Sequence, residues 1–352
     1  MLVKYLGLEW DEKKNREFPR SQFIENGLFR FTQPKFLNDK GSEAKLEPYY
    51  DKYSPVDIEW ARRECMKHSI DDVCNVSEDR LIKRFLDPTG RRFGDAFPWM
   101  LKHETQFETI KEYDFEQFKN AVSQMNHLIL ELLSAQIGVF SLSRTDRSEY
   151  MWTHYASEGK GIAVVFDENN PFFKHNPPID VLYSEEDRAT MTYKKGHIRI
   201  NGVPIEDFEA FSCVKNGQID KSKSSLCKDL ESLDLTKRLL FSKKHTPWYL
   251  EEETRIVLPL DSCDETRGET FTPDIAQHNV AILSPAEKCY SAIYLKKIPF
   301  EAITSIILGF EMDETHIKEI EDKLKLNEEL SHISLRKAKY NVFNNIEIST
   351  LS

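Results

Sequence analysis

The residues best equipped for chemistry are three consecutive glutamates, Glu251-Glu252-Glu253, with Arg255 two positions further on. They lie within Lys243-Lys244-His245-Thr246-Pro247-Trp248-Tyr249-Leu250-Glu251-Glu252-Glu253-Thr254-Arg255-Ile256-Val257-Leu258. This stretch opens basic, passes an aromatic pair and closes in a β-branched apolar run. Thr, Ile and Val favour a strand. Strand side chains alternate, so Glu251, Glu253 and Arg255 are expected on one face and Glu252, Thr254 and Ile256 on the other. Carboxylates two residues apart on one face lie about 7 Å from each other. If that face lines a pocket, repulsion and desolvation drive the two pKa values apart, and Arg255 keeps at least one of them ionised. The plain alternative is an edge strand with its charges in water.

Other segments must supply partners for this stretch. Ser21 is placed to cap a short helix over Gln22 to Glu25, Asn26-Gly27 breaks it, and Leu28-Phe29-Arg30-Phe31-Thr32 reads as a strand. Arg30 then points away from Phe29 and Phe31, either facing a site or snorkelling beside core aromatics. Phe36-Leu37-Asn38-Asp39 leads into a turn in which Asn and Asp bond nearby amides. Residues 55–135 change character: rich in Glu, Lys, Arg, Leu and Met, they read as a helical insertion. Asp57 to His68, Ser77 to Leu86 and Asp114 to Gln136 have helical spacing. In the last, Phe115, Phe118, Val122, Met125, Ile129, Leu132 and Leu133 form a core-facing stripe. Ile137 to Ser143 and Gly161 to Asp167 read as strands on either side of a short helix, Glu149 to Ala156. Trp152 and Tyr155 share one face of that helix, suited to core packing or to stacking on a planar ligand ring.

Further strands are expected over Ile179 to Ser184, Tyr290 to Leu295 and Ile303 to Gly309, and near Ile333 and Val342 to Ile348. Helices are expected over Leu226 to Ser242 and Asp313 to Leu324. Residues 187–225 give no clear period. The sum is an α+β chain, a mostly antiparallel sheet with one helical insertion, read as a single decorated domain over 1–352.

Composition narrows the classes. At 352 residues, 40% apolar and 30% charged, the chain is an ordinary globular one able to bury a large core. Its net charge of −11 argues against sequence-blind coating of nucleic acid. The basic group Arg80, Lys83, Arg84, Arg91 and Arg92 remains a local place for a phosphate-rich partner, or a solvated helix face. The cysteines at 65, 74, 213, 227, 263 and 289 form no Cys-x-x-Cys and read as reduced thiols of a cytoplasmic protein. No apolar run is long enough to span a membrane, and the first ten residues turn acidic too soon for a signal peptide.

Five segments carry a resemblance: Phe29-Arg30-Phe31; Phe36-Leu37-Asn38-Asp39; Met151-Trp152-Thr153-His154-Tyr155-Ala156; Lys244 with Trp248-Tyr249-Leu250-Glu251-Glu252-Glu253-Thr254-Arg255; and Ile306-Ile307-Leu308-Gly309. Together they resemble a widespread bacterial family of largely uncharacterised proteins, in matching order along about 280 residues. The order of elements is in turn similar to the ADP-ribosyltransferase fold, with its split sheet. That resemblance implies NAD as substrate and no metal. It implies Arg30, Asn38, Ser141, Ser143, Trp152, Tyr155 and Arg255 as residues around NAD. It implies Glu253 as the catalytic carboxylate and Glu251 as its helper. Inserted Leu37, and Leu250 where an aromatic is usual, depart from the pattern.

Three functions follow as expectations. The first is an ADP-ribosyltransferase modifying RNA, DNA or protein, as a toxin or antiviral effector with a possible antitoxin. The second is a metal-dependent nuclease with His154 or His245 as base. The third is a binding module in which Glu251, Glu253 and Arg255 form a structural charge network.

Overall fold

The computed structural model describes all residues except 12–14, 38–43, 69–75, 88–105, 209–213, 216–217, 220–229, 244–247, 269–291 and 352. In chain order the strands are β1 (Leu2–Leu6), β2 (Leu8–Asp11), β3 (Arg16–Pro19), β4 (Leu28–Phe31), β5 (Glu47–Tyr50), β6 (Ile137–Ser143), β7 (Ile162–Phe166), β8 (Ile179–Asp180), β9 (Thr190–Lys194), β10 (His197–Ile200), β11 (Val203–Pro204), β12 (Val214–Lys215), β13 (Gln218–Ile219), β14 (Glu253–Pro259), β15 (Glu265–Arg267), β16 (Ile293–Lys297), β17 (Ile303–Leu308), β18 (Ser334–Tyr340) and β19 (Ile346–Thr350). Eight of them form the main sheet, in the order β19-β18-β17-β7-β1-β6-β14-β8. Its pairs are antiparallel except β17 with β18. This is the expected α+β arrangement with a mostly antiparallel sheet.

Both faces of the sheet are covered, so its central strands lose the usual alternation. β7 is apolar at all five positions and buried at each. One face carries Leu2, Phe140, Leu142, Val164 and Ile256 into a cluster with Phe23, Phe29 and Phe31. Phe29 and Phe31 arrive there from β4, which belongs to a separate sheet, β15-β16-β4. The helix Glu314–Leu326 adds Ile317 and Ile320 to the same cluster. The opposite face carries Val3, Tyr5 and Val165 against Met151, Trp152 and Ala156 of the short helix Glu149–Tyr155 and its cap. Further along that face Ile137 and Val139 meet the long helix Ile110–Gln136 and the helix Leu230–Phe241.

The long helix begins four residues before the expected start, because the Thr109 hydroxyl accepts the Glu112 N–H as a cap. Of the expected stripe, Phe118, Val122, Ile129, Leu132 and Leu133 are buried, while Phe115 lies on the exposed flank. The helix Pro55–Lys67 starts two residues earlier than expected, at a capping box made by Ser54 and Asp57. Ser21 makes no side-chain cap; the short turn of helix Phe23–Asn26 begins after Gln22 instead.

The segment without a clear period, 187–225, contains a meander. β9 pairs with β10, β10 with β11, and β9 also pairs in parallel with β5. Its tight turn at Asn201-Gly202 uses φ of 49° and 86°, the left-handed values for which Asn-Gly is favoured. A side chain at Gly202 would also press to 2.3 Å from the Trp60 Cβ.

One irregularity of the main sheet matters below. β1 and β6 pair at a single position, Val3 with Ser143, before the strands diverge. The carbonyl of Ser141, left without β1, accepts a hydrogen bond from the Lys4 ammonium at 2.8 Å.

Candidate functional site

Ser242 and Lys243 follow the helix Leu230–Phe241, and Trp248–Glu251 form a 3₁₀ turn. Glu251 therefore closes a turn and does not begin the strand, which corrects the expectation of one strand through all three glutamates. Glu252 sits between turn and strand at φ 42°, a left-handed conformation that costs a non-glycine residue free energy. Its carbonyl accepts the Arg144 N–H at 2.9 Å and its own N–H donates to the Tyr249 carbonyl at 3.2 Å. β14 starts at Glu253, paired with Ser143 of β6. The reversal at Glu252 turns Glu251 inward, while Glu252 itself is exposed.

Glu251 and Glu253 then meet at one cation. The Lys243 ammonium lies 2.8 Å from Glu251 Oε2 and 2.7 Å from Glu253 Oε2. Arg255 donates from Nε to Glu253 Oε1 at 2.7 Å and from Nη2 to Oε2 at 3.0 Å, the bidentate fork typical of guanidinium and carboxylate. Its Nη1 donates to the Leu240 carbonyl. The Tyr155 hydroxyl donates to Glu251 Oε1. Ser143 Oγ donates to the Glu251 carbonyl at 2.8 Å, and the Tyr183 hydroxyl accepts the Glu253 N–H at 2.9 Å. All four charged side chains are at most 6% exposed. Two carboxylates facing two cations make the group neutral as a whole, which is how so much charge tolerates burial.

The two carboxyls are nonetheless unlike. For Glu253, burial opposes the charge, but Arg255 and Lys243 together outweigh it and hold the group well below the usual carboxylate range. For Glu251, burial dominates; Lys243 offsets part of it, the Glu253 charge adds to it, and the group is pushed up. Burial and then the Glu251 charge also push up the Tyr155 hydroxyl, keeping it a donor. The Lys243 ammonium loses by burial but gains more from the glutamates, and is held up as a cation. Around it stand two part-exposed rings. Trp248 has its ring centroid 4.7 Å from the Lys243 ammonium, and Tyr150 lies 4.3 Å from the His154 ring at a tilt of 50°.

The structure brings together Glu251, Glu253, Arg255, Ser143 and Tyr155. Ser141 stands opposite Arg255 across the β6–β14 pair, on the same face. Trp152 is elsewhere: fully buried, edge-on to Tyr5 at 5.1 Å, its indole N–H donating to the Asp146 carbonyl. It packs the core and presents no ring to a ligand. Arg255, 2% exposed and tied on both sides of its fork, offers nothing to a pyrophosphate. Arg30 lies on β4, whose neighbours Phe29 and Phe31 pack on the sheet face opposite to the one carrying Glu253. Asn38, His245, Arg91 and Arg92 lie outside the described residues. Arg80, Lys83 and Arg84 are exposed on the segment Glu78–Leu86, away from this group.

Lys243 and Tyr183 escaped the reading of the sequence. The motif was placed on Lys244, yet the residue that spans the glutamates is Lys243. Its signal was available: Lys243 directly follows the apolar end of a helix, where a lysine is drawn inward. Tyr183 gave none beyond lying in an expected strand. Among the described residues no group of three or more His, Cys, Asp and Glu stands close enough to hold a metal ion.

Residues 151–256 match the model of DUF2971, a protein family of unknown function. That match fits the expectation of an uncharacterised family. It runs from Met151 to Ile256, so all of the aromatic helix after Tyr150 and the Glu251–Arg255 segment fall inside it, while β1, β4 and the 55–135 segment fall outside. No curated protein and no solved structure matches the chain. Among the described residues no helix is long and apolar enough to cross a membrane.

Proposed function

We propose that the chain is an enzyme that transfers ADP-ribose from NAD to a macromolecular acceptor, with Glu251 as its proton-handling carboxylate. The observation that carries this reading is the convergence of Glu251 and Glu253 on the Lys243 ammonium with protonation preferences driven in opposite directions. Paired carboxylates whose surroundings separate their pKa values mark acid–base assignments. The substrate rests on the resemblance to ADP-ribosyltransferases, and the divergence of β1 from β6 is in keeping with the split sheet of that fold.

The roles differ from those first expected. Glu253 is spent on Arg255 and Lys243, so it acts as a positioning residue that fixes the ammonium. Glu251 is held by one bond at each oxygen, from Tyr155 and from Lys243, against the three-way grip of Arg255 and Lys243 on Glu253, and lies on the side of the part-exposed Tyr150 and Tyr155. In the reaction the nicotinamide–ribose bond breaks and nicotinamide departs with the bonding pair. The ribosyl cation is captured by a nucleophile of the acceptor, and Glu251 takes the proton of that nucleophile. Tyr155 holds Glu251 in place, and the rings of Trp248 and Tyr150 flank the nicotinamide. Arg147, exposed on the loop whose Ser148 hydroxyl donates to the Leu250 carbonyl at 3.1 Å, takes the pyrophosphate in place of Arg30 and Arg255. The acceptor is RNA, DNA or protein, and the exposed Arg80, Lys83 and Arg84 favour one rich in phosphate.

The test is nicotinamide release from NAD in the presence of bacterial RNA, DNA and protein as acceptors. Glu251→Gln is expected to lower turnover by about 10²–10⁴-fold with an unchanged circular dichroism spectrum. A folded wild-type protein that neither binds NAD nor releases nicotinamide with any of these acceptors overturns the reading.

A further inference from the structure

The turn that ends at Glu251 is gripped along three consecutive carbonyls by one segment, 143–148, between β6 and the helix Glu149–Tyr155. Ser148 Oγ donates to the Leu250 carbonyl at 3.1 Å, Ser143 Oγ to the Glu251 carbonyl at 2.8 Å, and the Arg144 N–H to the Glu252 carbonyl at 2.9 Å. Each serine is itself oriented. Ser143 Oγ accepts the Thr145 N–H at 3.3 Å, and Ser148 Oγ caps the helix by accepting the Met151 N–H at 3.3 Å. Where this segment lies therefore decides where the backbone of Glu251 lies.

The segment is fixed in turn by two aromatic donors from the core. The Tyr5 hydroxyl, from β1, donates to the Thr145 carbonyl at 3.0 Å, and the Trp152 indole N–H donates to the Asp146 carbonyl at 2.9 Å. The two rings meet edge-on at 5.1 Å, in one cluster with Val3, Met151 and Ala156. Burial pushes the Tyr5 hydroxyl up, so it stays a donor. A buried hydroxyl or indole N–H is costly without an acceptor, and here the acceptors are the carbonyls of adjacent loop residues. An apolar side chain would fill the same core with no polar atom to satisfy. The hydroxyl and the N–H add something that packing does not: they tie the segment to the sheet.

We propose that Tyr5 and Trp152 are positioning residues for Glu251, acting through the segment 143–148 and touching no ligand themselves. The role rests on the reading of Glu251 as the working carboxyl. It gives the buried ring of Trp152 a part in the site that direct stacking does not. The same segment carries Arg147, whose N–H donates to Thr145 Oγ1 at 3.2 Å, so the two aromatics place the candidate pyrophosphate ligand along with the carboxyl.

A carboxyl-carbon NMR titration of the full chain, labelled at glutamate, reads Glu251 directly; its signal is the one lost in Glu251→Gln. Facing that carboxyl are Lys243, Glu253 with its partner Arg255, Tyr155 and Tyr150. Burial is the largest influence on it and holds its midpoint above 4.5 in the wild type. Tyr5→Phe keeps the ring and removes only the hydroxyl. It should let the turn shift and admit water, which moves the midpoint down toward 4.5. Trp152→Phe should do the same, and if it fails to fold, Tyr5→Phe decides alone. Tyr53→Phe is the control. It removes a like bond, from the Tyr53 hydroxyl to the Leu86 carbonyl at 2.7 Å, beside the helix Pro55–Lys67, and should leave the Glu251 midpoint where it is. The titration needs neither NAD nor acceptor, so its result is separate from that of nicotinamide release. A midpoint that stays unchanged or rises in Tyr5→Phe, or that moves as far in Tyr53→Phe, overturns the proposal.

Discussion

Asp57 and Glu253 are both buried, yet one is met by neutral donors and the other by cations. Asp57 accepts the Ser54 N–H at 2.6 Å and the Thr192 hydroxyl at 2.6 Å, while Ser54 in turn contacts Thr190. It fastens the start of the helix Pro55–Lys67 to β9, and burial pushes its carboxyl up despite these bonds. One carboxylate and neutral donors suffice for such a fastening. The Glu251–Glu253 group uses two carboxylates, two cations and two tyrosines where a neutral core would pack as well, since buried ion pairs rarely add net stability. That excess of charge, set at one end of the β6–β14 pair, separates the group proposed to do chemistry from the Asp57 fastening.

The sharpest way to break the contrast is Lys243→Met. It strips two buried carboxylates of their shared cation, and a loss of about 3–5 kcal/mol in urea unfolding is expected. Glu253→Gln adds a pH signature. A carboxyl held below its ordinary 4.5 contributes stability that is full above that value and fades as pH falls further. The stability gap between wild type and this variant should therefore shrink steadily below about pH 4.5. A gap that stays constant down to pH 3 would show that the Glu253 charge has no cation partners in solution.

Asp57→Ala comes next. Removing a helix cap and a buried acceptor should cost about 2 kcal/mol while leaving nicotinamide release per folded molecule unchanged. Lost turnover at retained fold would erase the distinction between the two groups. Tyr155→Phe is the mildest change: about 1 kcal/mol of stability, with Glu251 released from one of its two side-chain bonds. Its expected effect is a displaced acid limb in the pH profile of turnover, which a purely structural tyrosine would not produce.

Much of this architecture was legible in the sequence. The stripe from Phe118 to Leu133 and the apolar run of β7 announce their elements because burial dictates them. The pairing of Glu253 with Arg255 follows from strand alternation alone. Three things were hidden. The turn ending at Glu251 was masked by a β-branched run that begins just after it. The meander β9-β10-β11 carries its clearest signal in Asn201-Gly202, a hairpin turn among strands too polar to stand out. Trp152 was misjudged because an aromatic on a short helix looks the same whether it faces a ligand or Tyr5. Lys243 was not hidden but overlooked: which of two adjacent lysines turns inward is settled by the end of the preceding helix, not by composition.

Glu252 touches neither Lys243 nor Arg255, yet it sets the separation of the two carboxyls through a single left-handed backbone step. That makes it a tuning position, open to change without loss of any contact. Glycine or asparagine there would keep the step at lower strain, whereas a β-branched residue would swing Glu251 out of register with Lys243. The charge balance of the pair can thus be altered from outside it, by a residue whose own side chain faces water.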